Sequence, residues 1–369
     1  MALLLQWCMQ VMVAAAVGLQ VTVVQAQHAV AGGRVPVLPA VVVLGDSWAD
    51  TGNNNFIQTM ARGNYPPYGR DFAGGEPTGR FSNGRLPADF VSEALGLPPA
   101  VPPYLDPRRT IHDLASGVSF ASAGSGLDDT TAQMLHDPNL YVQSAVTLRQ
   151  QVEHLKEYKA RLRRARGRAA GERTIRQALY LLSVGGSDLL GNYLLYPLRR
   201  QRFTLHEYSA YLAGEAEAAV RAVHAVGARR VAVAGLPPLG CLPLQRTVNA
   251  ARPGDCNWGL NTVARSFNRR LRAAAAKLNG ELPGARVVYV DQYRVLAEMI
   301  TKPWEYGFEN SVRGCCGTGY VETGVLCSID SAWTCKDADK YVFFDAVHPS
   351  QRAYKMVADA ILNATWHTL

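Results

Sequence analysis

Long apolar runs are scarce in this 369-residue chain. Past residue 26, no stretch approaches the ~18 consecutive apolar residues of a membrane-spanning helix. The 33 Gly and 20 Pro follow no collagen period, and 48% hydrophobic residues is too apolar a balance for disorder. No internal repeat is visible, which removes solenoid architectures, and no linker divides the chain in two. Gly-x-Ser-x-Gly is also missing, so the strained serine elbow of α/β-hydrolases is excluded. Charge is absent from residues 1–26, a segment rich in Leu, Val, Ala and Met. It closes on Val24-Gln25-Ala26, with small or apolar residues where a signal peptidase reads. The segment is therefore expected to be a cleaved signal peptide, with a retained membrane anchor as the alternative. Residues 27–39 then read as an N-terminal extension and 40–369 as one domain, and the protein as secreted.

The cysteines fit that compartment. Cys8 lies in the leader, and Cys241, Cys256, Cys315, Cys316, Cys327 and Cys335 remain, an even set that suggests disulfides. The spacing favours Cys241 with Cys256, leaving the other four to pair among themselves in an order that stays open. A zinc site at 315–335 is the rival, but adjacent Cys315-Cys316 suits zinc spacing poorly. One sequon, Asn363-Ala364-Thr365, is compatible with glycosylation.

Five short apolar runs read as strands: 41–44, 117–121, 178–184, 231–234 and 286–290. Continuous rather than alternating apolar character suits strands covered on both faces. Between them, Leu148, Val152, Leu155 and Leu162 recur at helical spacing. Residues 213–226 form an Ala-rich helix ended by Gly227, and Leu260, Val263, Phe267, Leu271 and Leu278 mark a third helix. Strands alternating with helices predict a single parallel-sheet α/β domain.

The net charge of +8 is concentrated. Residues 156–176 carry nine basic side chains against Glu157 and Glu172. This stretch reads either as a solvated helix face or as a patch for peripheral contact with an anionic surface, such as wall polymer or membrane. Nucleic acid is not expected for an exported chain in which Tyr158 is the one aromatic among these charges.

The chemistry concentrates at two places. Gly45-Asp46-Ser47 follows the first strand, where open α/β sheets place ligands, and the start of a helix there would aim N–H groups at developing negative charge. Capping by Asp46 and Ser47 is the plainer reading. Near the other end, Asp345-Ala346-Val347-His348 offers an imidazole held through one nitrogen while the other faces a nucleophile.

Gly45-Asp46-Ser47-x-x-Asp50-x-Gly52-Asn53-Asn54-Asn55 resembles the first block of plant GDSL-type esterase/lipases, members of the SGNH hydrolase superfamily. The likeness extends through Tyr65–Phe72, Pro77–Arg85, Phe120–Gly126, Gly235–Pro243, Cys315–Gly319 and Asp345–Pro349, roughly residues 40–362. It implies a flavodoxin-like three-layer α/β/α fold with a mainly five-stranded parallel sheet, and ester hydrolysis through an acyl-enzyme. Ser47 would then be nucleophile and oxyanion donor, Gly124 a second donor, His348 the general base and Asp345 its orienter. Implied substrates are small-molecule, lipid or acetylated-polysaccharide esters. No cofactor or metal is expected, since an imidazole activates the nucleophile. One position departs: Gly185-Gly186-Ser187-Asp188 puts Ser187 where the family carries the Asn oxyanion donor. That leaves two alternatives, a binding protein with weak catalysis for lipid or wall polysaccharide, or an acyltransferase using the same residues. Trp48 departs more mildly, standing where a smaller aliphatic residue is usual, and is expected to pack in the core.

Overall fold

A computed structural model describes residues 38–134, 144–196, 199–248, 252, 254–327 and 332–368. The expected signal peptide and most of the 27–39 extension lie outside the described residues. Five buried strands, β1 (Val41–Gly45), β2 (Gly117–Ser119), β3 (Leu179–Ser183), β4 (Arg230–Ala234) and β5 (Arg286–Val290), form an all-parallel sheet in the order β2-β1-β3-β4-β5. Their apolar runs serve a sheet covered by helices on both faces. Helices α1 (Pro87–Ala94), α8 (Gln292–Thr301) and α9 (Gln351–Thr365) pack together on one face. Helices α3 (Leu148–Arg166), α5 (Leu205–Val226) and α7 (Trp258–Glu281) pack on the other, with α4 (Arg168–Gln177) against α3. Short helices α2 (Asp129–Gln133) and α6 (Pro243–Val248) sit in the loops. This is the three-layer α/β/α arrangement expected.

The differences from the sequence reading are local. Helix α5 begins at Leu205, two turns before its Ala-rich part, because Thr204 and Glu207 form a reciprocal capping box. It ends at Gly227, whose φ of +134° suits a residue without Cβ. Strand β2 stops at Ser119, short of Ala121, and beyond it the Asn53 amide donates to the carbonyls of Ser119 and Ala121 at 2.8 Å. A second, two-stranded parallel sheet pairs β6 (Asn310–Gly314) with β7 (Tyr341–Phe343). β6 is polar and β7 is only three residues long, so neither shows a periodic signal. The predicted stripes are buried in α3, and in α7 all but Val263 is buried, which packs at the core margin.

Disulfides join Cys241 to Cys256, Cys315 to Cys335 and Cys316 to Cys327. The first is the pair favoured by spacing, and the others take up the thiols a zinc site would need. Among the described residues no helix is long and apolar enough to cross a membrane.

Candidate active site

The sheet order reverses between β1 and β3, and ligands of such sheets bind beyond the strand ends at that point. Strand β1 ends at Gly45, where a Cβ would come within 2.0 Å of the Ser183 carbonyl at the end of β3. The buried Gln151 side chain of α3 closes the same point. Its Oε1 accepts the Gly45 N–H, and its Nε2 donates to the Gly45 carbonyl, both at 2.9 Å. The backbone then makes one turn, with the N–H groups of Ala49 and Asp50 donating to the Asp46 carbonyl. No helix continues from it, so the helix start expected at Ser47 is a single turn. Ser47 stands on that turn.

The His348 imidazole comes from the loop after β7. Its Nε2 lies 2.8 Å from Ser47 Oγ, and its Nδ1 lies 2.9 and 2.7 Å from the Asp345 oxygens. Residues 301 positions apart in sequence are thus within proton-transfer reach. The ring packs against Phe81 at a centroid separation of 4.8 Å. Asp345 is buried, and burial alone would raise its carboxyl. The charge and hydrogen bond of His348, with further donors from Tyr68 and the Val347 N–H, outweigh burial and hold the carboxyl below its ordinary value. Asp345 is therefore an anion at neutral pH.

Two further predicted positions flank the serine. Gly124 belongs to a turn docked on the end of β1, since the Ser122 N–H donates to the Gly45 carbonyl at 3.1 Å. The buried Asp50 carboxylate accepts the N–H groups of Gly52, Asn53 and Ala123, tying the serine loop to the glycine turn. Among the described residues no protein acceptor takes the N–H of Ser47 or Gly124. Ser187, just past β3, lines the same cleft as Ser47. That cleft has Trp48, Leu190, Leu236, Leu242 and Val347 as apolar walls. Trp48 is only partly buried. Its ring meets Tyr354 edge-on at 5.7 Å and also borders the cleft, so it combines packing with lining.

Buried carboxylates hold the remaining loops. Burial pushes Asp46 up to about 6, against the opposing pull of the Trp48 N–H, the His348 charge and the N–H groups of Gly185 and Gly186. Burial likewise raises Asp188 to about 7, although it accepts from Thr131 Oγ1 and from the N–H groups of Leu127 and Asp128. Gln151, Tyr68 and Thr323 were not identifiable as site residues from sequence. Tyr68 lies within a block that carried the family resemblance, and that was its only signal.

Among the described residues no group of three or more His, Cys, Asp or Glu has the geometry of a metal site. The arrangement suits transfer of a proton from a serine hydroxyl to a histidine backed by a carboxylate.

Comparison with known proteins identifies the family of the chain. The model of the GDSL-like Lipase/Acylhydrolase family matches residues 41–361. One GDSL esterase/lipase of Arabidopsis thaliana is 46% identical over 330 residues, covering 89% of this chain and 91% of its own. Another is 44% identical over 329 residues, covering 89% and 92%. A lipase solved from a goat rumen metagenome is 14% identical with a TM-score of 0.38, over 88% of this chain and 97% of its own. With the family pattern running through nearly the whole domain, this chain belongs to the GDSL-like lipase/acylhydrolase family and is a carboxylic ester hydrolase.

Proposed function

We propose that the protein is a secreted esterase that works through an acyl-enzyme on Ser47. His348 removes the Ser47 proton as the hydroxyl oxygen attacks the ester carbonyl carbon. The C–O bond to the alcohol then breaks, and the imidazolium returns the proton to the departing alkoxide. Water, deprotonated by the same imidazole, releases the acid and regenerates Ser47. Asp345 fixes the ring with Nδ1–H toward itself and stabilises the imidazolium. The N–H groups of Ser47 and Gly124 receive the tetrahedral oxyanion, with Ser187 as a side-chain donor, each such donor being worth about 3 kcal/mol. The observation that carries this reading is the 2.8 Å approach of His348 Nε2 to Ser47 Oγ, with Asp345 on the far nitrogen.

The test is pre-steady-state release of p-nitrophenol from p-nitrophenyl acetate, with labelling by a fluorophosphonate. A burst, and a label that maps to Ser47, are expected. Ser47→Ala should lose both, with turnover down by at least 10³-fold. Equal turnover by the two proteins would overturn the assignment.

The substrate class is an ester of an acyl or acetyl group with a small alcohol, a lipid or a polysaccharide hydroxyl. The apolar cleft walls favour the acyl side of such esters. Ser187 supports a second reading, in which binding of lipid or wall polysaccharide outlasts efficient catalysis. A serine hydroxyl is shorter than an asparagine amide and donates a single proton. Export through residues 1–26 and contact of the basic stretch with an anionic surface complete the proposal.

A further inference from the structure

Asp345 receives more hydrogen bonds than orientation of a histidine requires. Its Oδ1 accepts the N–H groups of Val347 and His348, both at 2.7 Å. Its Oδ2 accepts the Tyr68 hydroxyl at 2.6 Å and the Thr323 hydroxyl at 3.1 Å, besides His348 Nδ1. Tyr68 is fully buried, with its ring edge-on against Phe81 and Phe344. Its Oη also accepts the Gly324 N–H at 2.9 Å. Accepting that bond polarises the hydroxyl as a donor toward Asp345.

Thr323 and Gly324 belong to the loop closed by the Cys316–Cys327 disulfide. The same region holds the chain on both sides of Asp345. Cys315 and Cys316 donate their N–H groups to the carbonyls of Phe343 and Phe344 at 3.1 and 2.7 Å. Ala346 donates to the Glu322 carbonyl at 2.8 Å. The Glu322 side chain keeps the loop in shape by accepting from Thr318, Gly319, Tyr320 and Val321. The disulfide-rich segment thus surrounds Asp345 although it lies outside the parallel sheet.

We propose that Tyr68 and Thr323 are positioning residues that set the orientation and charge density of Asp345, and through it the proton affinity of the base. The proposal rests on the Ser47–His348–Asp345 reading. Each hydroxyl draws negative charge from Oδ2 and stabilises the carboxylate against protonation. With one hydroxyl gone, the carboxylate is more easily protonated and attracts an imidazolium more strongly. Both effects require a higher pH before the Asp345–His348 pair reaches its working form. The other titratable groups around the pair are Tyr65, Tyr354 and Asp46. The two tyrosines stay neutral through the range concerned, because burial raises both.

The experiment is kcat and KM for p-nitrophenyl acetate from pH 5 to 9 in wild type, Tyr68→Phe, Thr323→Val, Tyr65→Phe and Ser47→Ala. Tyr68→Phe keeps the ring and removes only the hydroxyl. It should lower kcat about 10-fold with KM within about twofold, the loss expected for one hydrogen bond to a charged group. The acid limb of kcat/KM should move up by about half a pH unit. Thr323→Val should move the limb the same way by less. Tyr65 donates to the Arg62 carbonyl at 2.7 Å instead, so Tyr65→Phe should superimpose on wild type. An unmoved limb in Tyr68→Phe, or an equal shift in Tyr65→Phe, overturns the proposal. If Tyr68→Phe does not fold, an unmoved limb in Thr323→Val overturns it alone. An unmoved limb with Ser47→Ala inactive sinks this proposal and spares the nucleophile; Ser47→Ala as active as wild type sinks both.

Discussion

Ser187 is the proposed oxyanion donor that departs from the family pattern. It is partly exposed in the cleft beside Ser47, and among the described residues its hydroxyl has no protein partner. A free rotor loses entropy when it must point at an oxyanion, and its reach falls short of a carboxamide's. Ser187→Asn is therefore expected to raise kcat for p-nitrophenyl acetate about tenfold with little change in KM, since the gain is realised in the transition state. An unchanged kcat would mean that the serine already donates effectively. At this scale the sequence was informative where the chemistry is local. Ser47 follows a strand end, and Asp345 and His348 lie three apart, so each carries its own signal. Tyr68 and Thr323 meet Asp345 from 277 and 22 positions away, and Gln151 meets Gly45 from 106. Their contacts exist only once the chain has closed.

Elements sort the basic stretch into used and unused charge. Helices α3 and α4 pair Lys156 with Glu153, and Lys159 and Arg163 with Glu172, while Arg161 lies over the Tyr104 ring. Arg164, Arg166, Arg168, Arg173 and Arg176 are exposed with no ion pair among the described residues. Arg286 and Arg230, adjacent in the β4–β5 register, extend the positive surface at the N-terminal ends of the strands, and Arg230 donates to the Gln177 carbonyl at the end of α4. Guanidinium groups suit carboxylates, and no exposed aromatic in the stretch offers a wedge for a bilayer, so we propose an acidic polysaccharide as the partner of this surface. The protein should bind immobilised polygalacturonate at 20 mM NaCl and release it by about 300 mM. Arg164→Glu/Arg168→Glu should weaken binding several-fold with p-nitrophenyl acetate turnover unchanged. Retention that ignores both salt and charge reversal would refute it. Element by element, the strands and the α3 and α7 stripes were readable because burial imposes a period. The β6–β7 pair and the capped start of α5 were not, because segments that are polar or only three residues long carry no such period.

At the scale of the whole molecule, the cleft and the basic surface lie at opposite ends of one sheet. Ser47 and Ser187 follow the C-terminal ends of β1 and β3, whereas Arg230 and Arg286 begin β4 and β5. A polymer bound to that surface, as proposed, would leave the proposed ester site open. Three disulfides suit an exported chain. Expression in a secreting host should yield protein whose first residue is Gln27, read by terminal sequencing. A retained Met1 would favour the anchor alternative.

Periodicity, the even cysteine set and the separate motifs around Ser47 and around Asp345 and His348 could be read along the chain, because burial and short-range chemistry leave their mark on neighbouring residues. Folding alone decided what surrounds Asp345 and where the arginines of the basic surface stand relative to Ser47. Those depend on distances between segments far apart in sequence, and no local pattern encodes them.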